Sequence, residues 1–225
     1  MKALNIPVGI SNFEKIRNNG FYYVDKTGLI EELLKTEAEV TLITRPRRFG
    51  KTLGMSMLES FFDIRKNSRK LFEGLEIARQ SELCSKWMNQ CPTVSVSFRQ
   101  VDGLNFTSAY DMLTMVFADL YNKHLYLLED SHVTEFQKKT FTNIAHGCGS
   151  EKEVKSSLVL LTTMMQQHYG KAVVLLIDEY DVPVAKANAH GYYNEMLDVM
   201  KGLLQALKDN QALCFAVVTD RKSTR

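Results

Sequence analysis

Residues 40–52 read VTLITRPRRFGKT, and this stretch decides the fold. Its first five residues, Val40 to Thr44, are apolar or β-branched and predict a short buried strand. Apolar side chains then recur at helical spacing, which predicts a helix from Lys51 to Phe62. A strand that runs into a helix through a loop ending in Gly-Lys-Thr is the context that a phosphate-binding loop requires.

The chemistry of this loop follows from the start of the helix. Backbone N–H groups are unpaired there, and the helix dipole favours an anion. Gly50 lets the backbone approach a phosphate without a Cβ in the way. We predict that the Lys51 ammonium contacts the β- and γ-phosphates of a nucleotide and that the Thr52 hydroxyl is a ligand of Mg²⁺.

The loop departs from the usual pattern at its first position, where Arg45 replaces a glycine. Arg47, Arg48 and Phe49 complete the loop and are assigned to nucleotide binding together with Gly50 and its two successors. The arginines are expected to add positive charge near the phosphates. Taken alone, a Gly-Lys-Thr triplet also arises by chance, and the flanking strand and helix argue against that alternative.

A second strand end carries the other half of the predicted site. Residues 171–177 read KAVVLLI, the most hydrophobic run in the chain, which is typical of a central strand in a parallel sheet. Asp178 and Glu179 follow directly. We predict that Asp178 holds Mg²⁺, directly or through water, and that Glu179 polarises the water that attacks the γ-phosphate. The alternative is an acidic strand end that only faces solvent.

Two further strands are predicted at residues 93–98 and 212–218. Four strands separated by helices predict an α/β fold, a three-layer P-loop NTPase architecture with a mainly parallel sheet. The strand at 93–98 separates the two halves of the site along the chain, which fits ATPases whose catalytic base directly follows the magnesium aspartate. Thr219 ends the last strand, and two interpretations stay open: contact with the γ-phosphate or the attacking water, or a hydroxyl without a role.

The composition is that of an ordinary globular protein. Of the 225 residues, 45% are hydrophobic and 24% are charged. A formal net charge of +2 argues against nucleic-acid binding over the whole surface. No stretch approaches the roughly 20 apolar residues that cross a bilayer, and the four cysteines lack metal-site spacing. We therefore expect a cytoplasmic protein without a membrane partner.

In these motifs the chain resembles the AAA-ATPase-like family, whose members are often fused to a PD-(D/E)XK nuclease-like domain. Besides the loop, the resemblance rests on residues 23–27, YVDKT, and on residues 176–181, LIDEYD. It implies ATP and Mg²⁺ as cofactors and Mg-dependent ATP hydrolysis, with the site residues in the roles given above. It also implies a homo-oligomer, and nucleic-acid contact through a C-terminal domain that this sequence does not contain.

Residues 1–225 are expected to form one ATPase domain, with lead-in helices at 1–38, a core at 39–219 and a truncated tail at 220–225. Ser11 is expected to cap the first helix in a capping box with Glu14. Residues 23–27 have two open interpretations: a place near the nucleotide base or against the sheet, or capping of the next helix. No arginine that completes the active site is identified, and Arg221 and Arg225 are candidates only by proximity.

The leading functional hypothesis is a switch that hydrolyses ATP and signals to a partner or to a C-terminal domain. A nucleotide-binding regulatory module with little turnover is the first alternative. The ATPase part of a nuclease-linked protein that acts on nucleic acid is the second, and a small-molecule kinase ranks last.

Overall fold

The computed structural model describes residues 5–44, 46 and 49–220. Within them the strands are β1 (Val40–Ile43), β2 (Thr93–Ser97), β3 (Val173–Asp178) and β4 (Leu213–Thr219). The α-helices are α1 (Phe13–Asn18), α2 (Gly28–Thr36), α3 (Lys51–Phe62), α4 (Arg69–Phe72), α5 (Ser81–Trp87), α6 (Phe106–Asn122), α7 (Glu135–Ala145), α8 (Glu151–Lys155), α9 (Ser157–Tyr169), α10 (Val182–His190) and α11 (Tyr193–Leu204). Short 3₁₀ helices occupy Glu76–Arg79, Leu125–Glu129 and Gln205–Leu207.

The four described strands form one parallel sheet in the order β1-β4-β3-β2. Ile43 pairs with Thr219, and Ser97 pairs with Asp178, so the carboxyl ends of the strands meet at one edge. The prediction of an α/β fold with a parallel sheet is confirmed. In space, β4 separates β1 from β3, whereas β2 separates them only along the chain.

Helices cover both faces of the sheet, as the three-layer prediction requires. All six residues of β3 are buried. Leu175 and Ile177 belong to one hydrophobic core, whereas Val174 and Leu176 belong to the other. Strand residues alternate between faces, so β3 contributes to both layers of packing. Among the described residues, no helix is long and apolar enough to cross a membrane.

The prediction that β1 is a buried strand is wrong. Val40 and Leu42 are 39% and 50% exposed. Since β4 lies between β1 and β3, β1 is placed at the border of the sheet, and within the described chain it pairs with β4 alone. An apolar, β-branched sequence specifies a strand but does not distinguish a central position from an edge position.

The lead-in segment packs on α3, the helix that follows the phosphate loop, and on α4. The backbone N–H of Phe13 donates to Ser56 Oγ at 3.0 Å, and the Phe13 ring lies 5.0 Å from that of Phe72. Asn12, rather than Ser11, caps α1, because its Oδ1 accepts from Lys15 N at 2.7 Å. The predicted capping box is therefore wrong.

Residues 23–27 connect the lead-in segment to the 3₁₀ helix at Glu76–Arg79. Asp25 accepts hydrogen bonds from Thr27 N at 2.9 Å and from Glu76 N at 2.7 Å. The buried hydroxyl of Thr27 donates to Asp25 and accepts from Ile77 N at 3.1 Å. Burial alone raises the pKa of Asp25, and these hydrogen bonds lower it below its ordinary value. Asp25 and Thr27 thus brace two segments, which helix capping alone does not explain.

The Thr27 hydroxyl is expected to stabilise this brace. Replacing Thr27 by valine keeps the shape of the side chain but leaves the Ile77 N–H without its acceptor. We expect a loss of about 1–3 kcal/mol in the free energy of unfolding, measured by urea denaturation. Thr36→Val is the control, because the Thr36 hydroxyl donates to Leu33 O within its own helix, at the exposed end of α2. Equal losses in the two variants would contradict the brace.

Candidate functional site

The phosphate loop reaches α3 through a glycine in the left-handed conformation. Gly50 has a φ of 76° and is the N-cap residue of α3, and its carbonyl accepts from Gly54 N at 2.8 Å. The Lys26 ammonium lies 3.5 Å from the carbonyl oxygen of Phe49. The helix therefore begins directly at the predicted phosphate-binding residues, with its first N–H groups directed towards the cleft.

The Asp178 carboxylate is the centre of the predicted magnesium site. Its Oδ2 accepts from Thr52 Oγ1 at 3.0 Å, and its Oδ1 accepts from Thr219 Oγ1 at 2.5 Å. Asp178 and Thr219 are 4% and 0% exposed. The structure thus brings together the predicted residues of α3, β3 and β4 in one hydrogen-bonded chain, in which Asp178 and Thr219 are buried and Thr52 is half-buried.

Glu179 follows Asp178 with a φ of 54°, in the left-handed region that residues other than glycine adopt rarely. Its backbone N–H donates to Thr219 Oγ1 at 3.1 Å, and the N–H of Tyr180 donates to the Thr219 carbonyl at the same distance. Asp178 is still the last residue of β3, so the strand ends one residue later than the sequence suggested. The sharp turn at Glu179 places this residue in the lining of the cleft directly after the buried Asp178.

Two acidic residues beside the turn add negative charge. Tyr180 has a raised pKa, first because it is partly buried and then because of the charges of Asp181 and Asp220. Asp220 directly follows β4 and is 5% exposed. Its Oδ1 lies 3.4 Å from Lys51 Nζ, and both side chains are more than nine-tenths buried. No sequence pattern indicates this contact, because it depends on the strand order.

A cleft of about 480 Å³ lies between the start of α3 and the turn at Glu179. Its lining joins Lys51, Thr52 and Glu179 to Arg99, and it also includes Pro7, Gly9, Ile10 and Ser11 of the lead-in segment. Arg99 was missed at the sequence level. The available signal was its position two residues after the end of β2, at the same sheet edge as Asp178.

An apolar pocket of about 430 Å³ adjoins the loop on its other side. It is lined by Ile6, Pro7, Ile16, Tyr22, Tyr23, Val24, Lys26, Leu29, Ile43, Phe49, Gly50, Lys51, Leu53, Gly54 and Met57. Burial raises the pKa of Tyr23 to about 12, so its hydroxyl stays protonated, and it lies 3.3 Å from Met57 Sδ. The two pockets share Pro7, Gly50, Lys51 and Leu53, so one elongated ligand can reach both.

The arginines assigned to the loop, Arg47 and Arg48, lie outside the described residues, as do Arg45, Arg221 and Arg225. Their contact with nucleotide stays a prediction. Phe49 is described, and its side chain is 57% exposed on the wall of the apolar pocket.

The residues around Asp178 fit a magnesium ion that is shared with phosphates. Neighbouring ligands of an octahedral Mg²⁺ lie roughly 3 Å apart, and Thr52 Oγ1 and Asp178 Oδ2 are 3.0 Å apart. In the described part of the chain, no group of three His, Cys, Asp or Glu residues is placed to hold a metal ion. Mg²⁺ typically takes one or two protein ligands and completes its shell with water and phosphate.

A family model described as "Predicted AAA-ATPase" matches residues 7–220. This chain belongs to the AAA-ATPase-like family. Among curated proteins it is similar to an "Uncharacterized protein in vnfD 5'region" of Azotobacter chroococcum mcd 1, at 27% identity over 214 residues. The match covers 94% of this chain and 36% of that protein, so this AAA-ATPase-like chain spans about a third of its relative. No solved structure matches this chain.

Gly50 of this AAA-ATPase-like chain is expected to resist substitution because of its backbone conformation. A Cβ added there finds Lys26 Nζ no closer than 3.8 Å, so crowding is not the obstacle. We expect Gly50→Ala to lose about 1–2 kcal/mol in the free energy of unfolding, because alanine is strained at positive φ. Gly54→Ala, inside α3, is expected to be neutral or stabilising by up to about 1 kcal/mol. Similar losses in both variants would show that the φ of Gly50 is not the cause.

The Thr219 hydroxyl is expected to stabilise the turn at Glu179. Thr219→Val removes the donor to Asp178 and the acceptor of the Glu179 N–H together. We expect a loss of about 1–3 kcal/mol in the free energy of unfolding. Thr219→Ser keeps the hydroxyl and is expected to retain most of the stability. If serine and valine destabilise equally, the hydrogen bonds contribute nothing.

Proposed function

We propose that this chain binds ATP with Mg²⁺ and hydrolyses it. The observation that carries the proposal is the convergence of Thr52 and Thr219 on the Asp178 carboxylate, with Glu179 next in the chain. Family membership supports the same class of activity.

In the proposed arrangement, the phosphates lie against the first turn of α3, where unpaired N–H groups and Lys51 neutralise their charge. Thr52 and Asp178 hold Mg²⁺, which supplies charge neutralisation at the β- and γ-phosphates. Glu179 polarises the attacking water. Thr219 positions both carboxylates, since its hydroxyl bonds to one and to the backbone of the other. Arg99, which lines the same cleft, is proposed to face the γ-phosphate.

We propose that the nucleoside part of ATP occupies the apolar pocket beside the loop. This pocket shares four residues with the phosphate cleft, and its apolar walls suit an aromatic base. Tyr23 and Val24 of the family motif contribute to that lining. The motif at residues 23–27 then serves two purposes, because its other members, Asp25 and Thr27, hold the segment in place.

A nucleotide-binding module with little turnover is the second candidate. The contact between Lys51 and Asp220 favours this second candidate, because the Asp220 carboxylate pairs with the ammonium group that the phosphates need. A role as a switch for a partner or for another domain is proposed in both cases. The relative's much greater length leaves room for such a domain. Homo-oligomerisation and nucleic-acid contact are proposals from the resemblance, and a cytoplasmic location is a proposal from the cysteine pattern.

The proposal is tested by nucleotide binding and phosphate release with the full 225-residue chain. We expect Mg-dependent turnover in the wild type. Lys51→Ala is expected to weaken ATP binding at least about tenfold, because a charge-assisted contact to phosphate is lost. Glu179→Gln is expected to bind ATP normally and to lower the turnover number about 100-fold or more, because the general base is lost.

Matched controls lie at the opposite edge of the sheet. Lys171 precedes β3 and Glu39 precedes β1, so Lys171→Ala and Glu39→Gln change the same charges far from the cleft. Both are expected to behave like the wild type. Binding without turnover in the wild type would select the regulatory module. Absence of Mg-dependent nucleotide binding would refute the proposed function.

A further inference from the structure

Asp220 places a buried negative charge where the proposed nucleotide must bring its phosphates. Its carboxylate is 3.4 Å from the ammonium of Lys51, and the side chains are 7% and 8% exposed. No part of the phosphate-loop or strand-end chemistry described above requires an acid at this position. The contact therefore needs an explanation of its own.

The fold fixes this contact. Asp220 follows the last residue of β4, which pairs with β1 on one side and with β3 on the other. The phosphate loop begins after β1, so the end of β4 lies beside it. Thr219 is held by Asp178 and by the backbone of Glu179 and Tyr180. With its neighbour anchored in this way, the backbone of Asp220 has little freedom to move away from Lys51.

A bound nucleotide has to compete with Asp220 for Lys51. When the ammonium turns to the phosphates, the buried Asp220 carboxylate loses an ion-pair partner, and the loss of one partner of a buried pair is costly. The carboxylate also repels the phosphates directly, with little screening by solvent. Asp178 adds a second buried carboxylate to the same edge.

We propose that Asp220 is a selectivity residue that weakens the binding of metal-free nucleotides and makes tight binding depend on Mg²⁺. The divalent cation offsets the charge of the phosphates and of the neighbouring carboxylates, so the repulsion from Asp220 is smaller for the Mg-bound form. This inference rests on the proposed nucleotide site. It adds that the site favours the Mg-bound nucleotide over the metal-free one.

The test compares the wild type with Asp220→Asn, which keeps the size of the side chain and removes its charge. Binding of the non-hydrolysable ATP analogue AMP-PNP is measured by titration calorimetry, once in excess EDTA and once with saturating MgCl₂. We expect the variant to bind the metal-free analogue about tenfold more tightly than the wild type. With Mg²⁺ the difference is expected to shrink to about threefold or less.

Asp198→Asn is the control, since it removes one side of an Asp–Lys ion pair between α8 and α11, on the surface. It is expected to match the wild type in both titrations. Thermal unfolding of each ligand-free protein checks folding, and Asp220→Ser replaces the asparagine variant if that one is unfolded.

The outcomes separate this inference from the proposed function. If the wild type binds the Mg-bound analogue and the Asp220 variant shows no gain in EDTA, the selectivity role is wrong and the nucleotide site stands. Weaker binding by the variant would show that Asp220 only orients Lys51, which also overturns the inference. If neither protein binds under either condition, both proposals fail. If both proteins bind the Mg-bound analogue and only the variant binds tightly in EDTA, both proposals are supported.

Discussion

Two hydroxyl groups converge on the Asp178 carboxylate from separate elements, one from the start of α3 and one from the end of β4. A buried carboxylate is stable only when its oxygens are satisfied, so these contacts hold α3, β3 and β4 in one arrangement. The turn at Glu179 depends on the same group of atoms, because its N–H donates to Thr219. Displacement of any one of these elements would leave polar groups of the others unpaired.

Much of the fold and the centre of the site could be predicted because their signals are local. The phosphate loop lies between a strand and a helix in sequence, and the run before Asp178 is apolar on both faces, as a central strand must be. The edge position of β1 could not be predicted, since strand order is set by pairing between distant segments. Asp220 and Arg99 were missed for the same reason, because only the pairing of the strands brings Asp220 to Lys51 and Arg99 to the cleft.

The lead-in segment is part of the site rather than an attachment to it. Residues 6–11 and 22–26 contribute to the two pockets that flank the loop, and the hydrogen bonds of Asp25 and Thr27 hold the second stretch against residues 76–77. A short polar motif can therefore contribute to ligand binding indirectly, by fixing the backbone that carries the contacting residues. The sequence shows such a motif but does not indicate its role, because the residues to which it is hydrogen-bonded lie some 50 positions away.

The edge strand β1 leads directly into the phosphate loop, and its Val40 and Leu42 side chains are half exposed. An edge strand is where a sheet accepts another strand from outside. A segment that paired with β1 would add hydrogen bonds to the strand that precedes the phosphate loop in sequence. A partner bound at this border would thus restrain the strand from which the phosphate-binding residues continue, without entering the cores that pack the two faces of the sheet.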